Sequence, residues 1–284
     1  MEYLIGIDLG TSGTKTVLFD RLGKVIASAT VEYPLYQEKN GWAEQDPLDW
    51  WHASCETLQS VIGQSGVDPR DIKGLGISGQ MHGLVMLDKQ GQVLRRSILW
   101  CDQRTAKQCE EITQRVGRER LIQITANPAL TGFTASKILW VRENEPELYA
   151  QCAHILLPKD FVRYKLTGEF ATEVSDASGM QLLDVPHRCW SQEVLEKLDI
   201  APALLAKVYE SPEITGTITS EAAALTGLAA GTPVVGGAGD NAAAAVGTGV
   251  VTDGKAFTTI GTSGVVFAHT DKISIDPQGR VHTF

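Results

Sequence analysis

The sequence predicts a layered α/β fold, and three observations lead to this prediction. Short runs of β-forming residues separated by glycine-containing turns open the chain, at residues 3–8, 15–20 and 24–32. Strand-like and helix-like segments then alternate along most of the chain. A Gly-Thr-Ser-Gly turn between two apolar runs occurs near both ends of the 284 residues. Together these features indicate a sheet with flanking helices and an internally repeated hairpin.

The first helix is predicted directly after the opening strands. Asp46 can cap its N-terminus, and Pro47 suits the first helical position because the N–H of that residue has no partner inside a helix. Apolar residues then repeat at intervals of four and three, at Trp51, Cys55, Leu58 and Ile62. This spacing predicts an amphipathic helix packed on the sheet.

Further strands and helices follow in alternation. The segment "DIKGLGISGQMHG" predicts a strand that ends in a glycine-bounded loop, and "LVMLD" and "SILW" predict short strands. Helices are expected over about 103–124 and 134–150. A strand at 154–157 then leads into a helix from Pro158 to Leu166, with Gly168 as its C-terminal cap.

The last part of the chain contains short helices, a strand at 232–237, the helix "NAAAAVG" and the second hairpin. No low-complexity linker interrupts the sequence, so one main domain is expected to cover most of it.

The composition excludes some classes of partner. A net charge of −9 and a pI near 5.2 argue against a nucleic-acid partner, because such binding depends on Lys and Arg that neutralise phosphates. The five cysteines are widely spaced without a CxxC pair, which is typical of neither a disulfide framework nor a zinc site. A reducing cytoplasm is therefore the expected location. The sequence also lacks a signal-peptide pattern and a long apolar span, so no membrane partner is expected.

The first hairpin, "IGIDLGTSGTK", could hold an anion. Its turn brings together Gly10, Thr11, Ser12 and Gly13, whose backbone N–H groups and hydroxyls could converge on a phosphate. An ordinary glycine-rich β-turn explains the same residues, and the short motif alone favours that explanation. Asp8 favours the functional one, because a carboxylate at the end of a buried strand is costly unless it is paired or meets a cation such as Mg²⁺.

The second copy of the turn, Gly261 to Gly264, suggests an internal duplication with two halves that face each other across a cleft. Two such turns could hold a polyphosphate. Thr259 and Ile260 precede the second turn, so it has no acid that corresponds to Asp8. Only the first turn is therefore expected to recruit a metal through its own strand.

Asp240 and Asn241 open a helix of small residues in "VVGGAGDNAAAAVG". One hypothesis is that Asp240 is the N-cap of this helix. The other is that its carboxylate faces the cleft and accepts a proton from an attacking hydroxyl as a general base. The glycines before it would leave room for a substrate.

Two further segments carry polar groups near predicted strand ends. The loop "SGQMHG" offers Gln80, Met81 and His82, where amide, imidazole and backbone groups could bind a polyol, although a lone histidine is more often structural. In "LWCDQR", beside Trp100, an ion pair between Asp102 and Arg104 at the start of a helix is the preferred interpretation.

These motifs together resemble the FGGY family of carbohydrate kinases, which have the actin-like ATPase fold of two ribonuclease-H-like halves. The family's first signature is matched by "GFTASKILWVREN", with Gly132, Thr134, Lys137, Trp140 and Glu143 at the required positions. The other quoted motifs are most similar to those of members that phosphorylate D-xylulose. For this chain the resemblance implies a mixed sheet with flanking helices and a second domain of which only the start is present.

The resemblance also implies roles for the residues on the sugar side. Asp240 would be the catalytic base that deprotonates the sugar hydroxyl, Met81 and His82 would bind the sugar, and Asn241 would lie beside it. Asp8 would act in catalysis by positioning the Mg²⁺ of MgATP, with Asp240 as the second metal residue.

On the nucleotide side, the resemblance implies ATP and Mg²⁺ as cofactors. Thr11 and Ser12 would face the transferred phosphate, and Gly261 and Thr262 would face the other phosphates. The intact enzyme would convert D-xylulose and ATP into D-xylulose 5-phosphate and ADP.

Family members continue well past the length of this chain. Residues 1–245 are therefore expected to be the sugar-binding N-terminal domain, and residues 246–284 the incomplete start of a nucleotide-binding domain. The 284 residues are expected to have negligible kinase activity alone.

Other functions stay open at this point. One is a kinase for another ketose or polyol, such as ribulose, gluconate, fuculose, rhamnulose or glycerol. Another is a non-kinase ATPase or filament subunit of the actin-like group. The loop at Gln80 and the signature segment argue against this function, because neither is needed to bind a nucleotide. A third is an assembly module, for which a homodimer would be the partner.

Overall fold

A mixed seven-stranded sheet is the centre of the computed structural model, which describes residues 2–260 and 264–284. The strands in chain order are β1 (Tyr3–Leu9), β2 (Gly13–Asp20), β3 (Val25–Glu32), β4 (Glu44–Gln45), β5 (Ile72–Gly79), β6 (Val85–Leu87), β7 (Ser97–Ile98), β8 (His154–Leu156), β9 (Ala171–Glu173), β10 (Leu183–Asp184), β11 (Cys189–Trp190), β12 (Lys207–Tyr209), β13 (Ile214–Thr217), β14 (Pro233–Val235), β15 (Ala238–Gly239), β16 (Ala256–Ile260) and β17 (Gly264–Ala268).

Helices flank this sheet and form a second layer beside it. In chain order they are α1 (Pro47–Ser65), α2 (Ala106–Val116), α3 (Arg118–Thr125), α4 (Thr134–Asn144), α5 (Pro146–Tyr149), α6 (Pro158–Thr167), α7 (Val174–Ala177), α8 (Gln192–Leu198), α9 (Ser220–Thr226) and α10 (Asp240–Gly247). Short 3₁₀ turns lie at Pro69–Asp71, Ser178–Met180 and Pro202–Leu204. Among the described residues, no helix is long and apolar enough to cross a membrane.

The strand order of the main sheet is β13-β14-β5-β1-β2-β3, and β15 also pairs with β5. Strands β1, β14 and β15 run parallel to β5, whereas β1, β2 and β3 form the predicted antiparallel meander. The predicted α/β class with a mixed sheet is therefore confirmed. The second hairpin pairs β16 with β17 as a separate two-stranded ribbon, and its turn at 261–263 lies outside the described residues.

Helix α1 has the predicted ends and a slightly different buried face. The Asp46 carboxylate accepts the Leu48 N–H at 2.9 Å, and Gly66 ends the helix with a φ of 63°. The predicted Trp51 and Leu58 are buried, but the predicted Cys55 and Ile62 are only half-buried. The fully buried positions also include Trp50, Ser54, Thr57 and Val61. The face is rotated because α1 packs on β2, where the Thr57 and Thr16 hydroxyls lie 2.7 Å apart.

The region predicted to be helical over 103–124 does form helices, but Gly117 divides it into α2 and α3. Gly117 has a φ of 90°, which a residue with a side chain rarely adopts. Its N–H donates to Thr113 O at 3.0 Å and its carbonyl accepts the Leu121 N–H at 2.8 Å, so it joins the two helices directly. The predicted helix over 134–150 is similarly interrupted before Pro146, which lacks an N–H donor.

Two apolar clusters form the core. One lies between the main sheet and helices α1 and α6, and includes Leu18, Trp50, Leu58 and Phe161. The other lies among β6, β8 and helices α2, α3, α4 and α8, and includes Leu84, Ile138 and Leu195. Strand β5 contributes Ile72, Leu75 and Ile77 to the first cluster, and the loop that follows it leads to Leu84 of the second.

Candidate functional site

Three neighbouring parallel strands end at one edge of the main sheet. Asp8 of β1 lies opposite Ser78 of β5, and Ala238 of β15 lies opposite the same Ser78 on the other side. The segments 10–13, 80–82 and 240–241, which contain most of the predicted site residues, therefore leave the sheet side by side. Because ligands of open α/β sheets bind at the carboxyl ends of parallel strands, this edge is the candidate active site.

A cavity of about 460 Å³ opens at this edge. Its lining residues are Asp8, Ser78, Asp240, Asn241, Ala243 and Ala244. The predicted pair of Asp8 and Asp240 thus faces one space, and small alanines on α10 leave that space free.

Asp240 is the first residue of α10, and Gly239 occupies the capping position. The Asp240 carboxylate accepts the Asn241 N–H at 2.7 Å, but makes no capping hydrogen bond to a later residue of the helix. The N-cap hypothesis is therefore wrong. Although one side of Asp240 faces the open cavity, loss of hydration raises its pKa above the ordinary value, and the Asp8 charge adds to this effect while the Asn241 N–H opposes it.

Asp8 accepts a hydrogen bond from the Ser78 hydroxyl at 2.9 Å. No cluster of three or more His, Cys, Asp or Glu side chains suited to a metal is found in the part of the chain that the structure describes. Two carboxylates on one cavity nevertheless fit Mg²⁺, which is commonly bound by one or two carboxylates together with substrate phosphates and water.

The turn of the first hairpin is held tightly at its base. The Gly10 N–H donates to Gly13 O at 3.0 Å, and the Tyr33 hydroxyl donates to Gly10 O at 2.5 Å. A side chain at Gly13 would place its Cβ 2.6 Å from Val31 O, so only glycine fits there. Ser12 is exposed at the tip of the turn.

The Thr11 hydroxyl, in contrast, is already used inside the protein. It accepts the Trp100 indole N–H at 3.0 Å and donates to the Gln80 amide oxygen at 3.3 Å. The counterparts in the second turn, Gly261 and Thr262, lie outside the described residues.

Gln80 supports this turn instead of facing the cavity. Its side chain is buried, and its amide nitrogen donates to the Gln45 amide oxygen at 2.9 Å. Gln45 in turn donates to Thr11 O at 2.7 Å and accepts the Trp50 indole N–H at 3.1 Å. The motif predicts Gln80 to be among the polyol-binding residues, but it does not predict the contact with Gln45, which lies 35 residues earlier in the chain.

Met81 and His82 occupy different environments. Met81 is buried, and a Cβ on Gly239 would lie 2.7 Å from its Sδ, so Met81 packs beneath the residue before Asp240. His82 Nδ1 lies 3.0 Å from Gly179 O and must carry the proton there, because a carbonyl only accepts. Burial lowers the pKa of His82 well below its ordinary value, with a smaller contribution from His282, so the imidazole is neutral.

The predicted ion pair of Asp102 and Arg104 is confirmed. Arg104 Nη2 lies 2.7 Å from Asp102 Oδ2, and Nη1 lies 2.7 Å from Glu44 Oε1. The guanidinium also lies 3.6 Å from the centre of the Trp42 ring. The side chains of Arg104, Asp102 and Glu44 are nearly fully buried, so this ion-pair network is part of the protein interior.

A cluster of five fully buried charged residues lies beside the loop that leads to Asp240. The sequence motifs do not predict it. Lys159 Nζ lies 2.8 Å from Asp160 and 3.3 Å from both Glu173 and Asp176, and Arg163 lies 2.7 Å from Asp160. We call these five residues the buried charge cluster. Its only sequence signal is three charged residues, "KD" and "R", in the otherwise apolar segment "LLPKDFVRY".

The buried charge cluster contacts the loop that leads to Asp240. Arg163 donates to Gly236 O. The Ser175 hydroxyl donates to Glu173 at 3.0 Å and accepts the Gly239 N–H at 3.1 Å. The cluster therefore fixes both ends of residues 236–239, and with them the start of α10.

Comparisons with known proteins show which family this chain resembles. Residues 3–247 match the N-terminal domain of the FGGY family of carbohydrate kinases. The chain is 45% identical over 284 residues to a xylulose kinase of Bacillus subtilis (strain 168), covering 100% of this chain and 57% of that relative. The chain thus spans a little over half the length of this curated relative.

Solved structures share the fold. A ligand-bound xylulose kinase from Lactobacillus acidophilus superposes with a TM-score of 0.92 at 28% identity, over 98% of this chain and 56% of that one. A gluconate kinase from the same organism gives the same TM-score, identity and coverage.

Replacing Lys159 by Met should strongly destabilise the protein, because it leaves the carboxylates of the buried charge cluster without their main countercharge. The free energy of unfolding should fall by about 3–5 kcal/mol in urea denaturation. The matched control is Lys107→Met, since Lys107 pairs with Glu143 but is 72% exposed. Its effect should be at most about 1 kcal/mol. Equal effects of the two changes would contradict the role given to the cluster.

Replacing Asp8 by Asn should lower the pKa of Asp240, because the Asp8 charge helps to raise it. The measurement is a ¹³C NMR titration of the Asp240 carboxyl in both proteins. Asp20→Asn, at the opposite end of the same hairpin, is the control and should leave the Asp240 titration unchanged. An unshifted Asp240 titration in the Asp8 variant would show that the two carboxylates do not interact.

Proposed function

This chain belongs to the FGGY family of carbohydrate kinases, and from this premise we propose that the complete gene product transfers a phosphate from MgATP to a terminal hydroxyl of D-xylulose. The observation that carries the proposal is the pair of carboxylates, Asp8 and Asp240, which face one cavity from the two strands on either side of β5. The choice of xylulose is supported by the 45% identity to a xylulose kinase over the full chain.

Asp240 acts as the general base in this proposal. The sugar hydroxyl gives its proton to the Asp240 carboxylate while its oxygen attacks the γ-phosphorus of ATP, and the bond to the ADP oxygen breaks. The products are D-xylulose 5-phosphate and ADP. The raised pKa of Asp240 suits this role, because a more basic carboxylate is a better proton acceptor.

The phosphate groups are bound on the side of the first hairpin. Ser12 at the exposed tip and the backbone N–H groups of the turn face the transferred phosphate, whereas Thr11 contributes its backbone because its hydroxyl is bonded to Trp100 and Gln80. Asp8 and Asp240 would hold Mg²⁺, which neutralises phosphate charge when it is bound. We propose that Gly261 and Thr262 complete the phosphate site.

The sugar is bound by residues of the other two strand ends. His82 presents its neutral imidazole, and Asn241 lines the cavity beside the base. Met81 acts from beneath, through its packing against Gly239, and keeps the two loops at a fixed separation. We further propose that residues 1–245 are the sugar-binding domain and that residues 246–284 begin the nucleotide-binding domain.

A kinase for gluconate is the second candidate, because a gluconate kinase has the same TM-score to this chain as a xylulose kinase. A coupled ADP-release assay of the complete gene product with D-xylulose, D-ribulose, D-gluconate and glycerol distinguishes them. D-Xylulose should give the highest kcat/KM. A higher value for gluconate would transfer the proposal to that sugar acid, and ATP turnover without any sugar dependence would overturn the kinase function.

Replacing Asp240 by Asn should lower kcat in the complete gene product by about 10²–10⁴, because the amide cannot accept the hydroxyl proton. The KM for the sugar should change much less. Asp199→Asn is the matched control, since Asp199 lies in a surface ion pair with Arg115 away from the cavity. A near-normal kcat in Asp240→Asn would remove this residue from the role of base.

A further inference from the structure

His82 has a backbone conformation that its side chain disfavours. Its φ is 70°, in the left-handed region where residues other than glycine lose free energy. The two residues on either side, Met81 and Gly83, are buried, so the peptide cannot relax by moving into solvent. Something in the surrounding structure must hold this conformation.

Two fully buried side chains of helix α4 hold the His82 peptide through its carbonyl oxygen. Lys137 Nζ donates to His82 O at 2.8 Å, and Thr134 Oγ1 donates to the same oxygen at 3.1 Å. Residues three apart lie on one face of a helix, so both donors project from the first turn of α4 towards the loop. Lys137 also donates to Gly132 O at 2.7 Å, which joins the loop to the segment before the helix.

Lys137 is unusual for a fully buried lysine, because no carboxylate among the described residues forms an ion pair with it. Its Nζ is bonded to two backbone carbonyls, and burial lowers its pKa to about 7 although the Asp102 charge acts in the opposite direction. An ammonium group and a neutral amine both keep N–H donors, so the two hydrogen bonds do not depend on the charge of Lys137. A buried lysine placed in this way serves as a hydrogen-bond donor.

The opposite side of His82 is closed by neighbouring groups. Its ring packs edge-on against Phe133, with the ring centres 4.9 Å apart, and Nδ1 donates to Gly179 O. A side chain at Gly179 would overlap the His82 ring. These contacts hold the imidazole in one orientation, in which Nδ1 faces Gly179 and Nε2 points away from that carbonyl. The His282 ring also packs on the imidazole, with the ring centres 5.5 Å apart.

We infer that Thr134 and Lys137 are positioning residues for His82: their hydrogen bonds to one carbonyl keep the imidazole oriented for a sugar hydroxyl. The part of this inference that concerns the sugar rests on the proposed function, whereas the conformation of His82 does not. It also gives a physical role to two residues of the segment "GFTASKILWVREN", on which the resemblance to sugar kinases depends.

The test uses Thr134→Val, which removes one donor at nearly constant volume, and Lys137→Met, which removes the other. Thr226→Val is the matched control, because Thr226 is equally buried and its hydroxyl donates to a backbone carbonyl, Ala222 O, away from the site. NMR spectra of the isotope-labelled 284-residue chain report the backbone carbon shifts and the imidazole shifts of His82. Steady-state kinetics of the complete gene product report KM and kcat.

We expect the His82 signals to move in Thr134→Val and Lys137→Met but not in Thr226→Val. The KM for the sugar should rise about threefold to tenfold in Thr134→Val, as expected for one lost hydrogen bond, and more in Lys137→Met, with a smaller fall in kcat. If Lys137→Met does not fold, Thr134→Val alone decides the matter.

Unchanged His82 signals in a folded Thr134→Val protein would overturn the inference, even if KM rose, because the effect would then reach the sugar by another route. If the wild-type complete gene product has no sugar kinase activity, the proposed function fails. The NMR comparison still decides whether Thr134 and Lys137 hold His82.

Discussion

The pairing of β5 with parallel strands on both sides is the constraint on which the site depends. It places Asp8, Ser78 and Ala238 in one row, and a shift of one residue would turn Asp8 to the other face of the sheet. Gly237 makes the second pairing possible, because it has a φ of 79° and a Cβ there would overlap the backbone of Ile77. The chain thereby leaves β14 and returns to β5 as β15 just before Asp240.

Two fully buried lysines support the two loops at this edge in different ways. Lys159 is surrounded by carboxylates; burial would lower its pKa, but Asp160, Glu173 and Asp176 together raise it above the ordinary value. Its charge is therefore part of the structure, and the loop before Asp240 depends on it. Lys137 pairs with carbonyl oxygens, and burial lowers its pKa. The loop before Asp240 is thus supported by buried charges, whereas the loop of His82 is held by hydrogen bonds.

The sequence predicted those features that depend on neighbouring residues. Asp46 and Pro47 start α1, and Gly168 ends α6, because caps act within one helical turn. The candidate residues Asp8 and Asp240 meet at one edge of the sheet because each lies within or directly after the end of a strand. Features that depend on distant residues were not predicted: Gln80 turns to Gln45, Met81 packs under Gly239, and the five charges of the buried charge cluster meet from separate segments. A motif gives the identity of a side chain but not the direction in which packing turns it.

In the proposed reaction, the charges around the cavity would favour the nucleotide with its metal bound over the free nucleotide. The protein has a net charge of −9, and its cavity contains two carboxylates, one of which raises the pKa of the other. A free polyphosphate at this place would meet like charges at short range, where water screens them incompletely. Mg²⁺ between carboxylates and phosphates would reverse the sign of each of these interactions. In the proposed reaction, metal binding and nucleotide binding are therefore coupled, and Asp8 acts by making the site unfavourable for ATP without its metal.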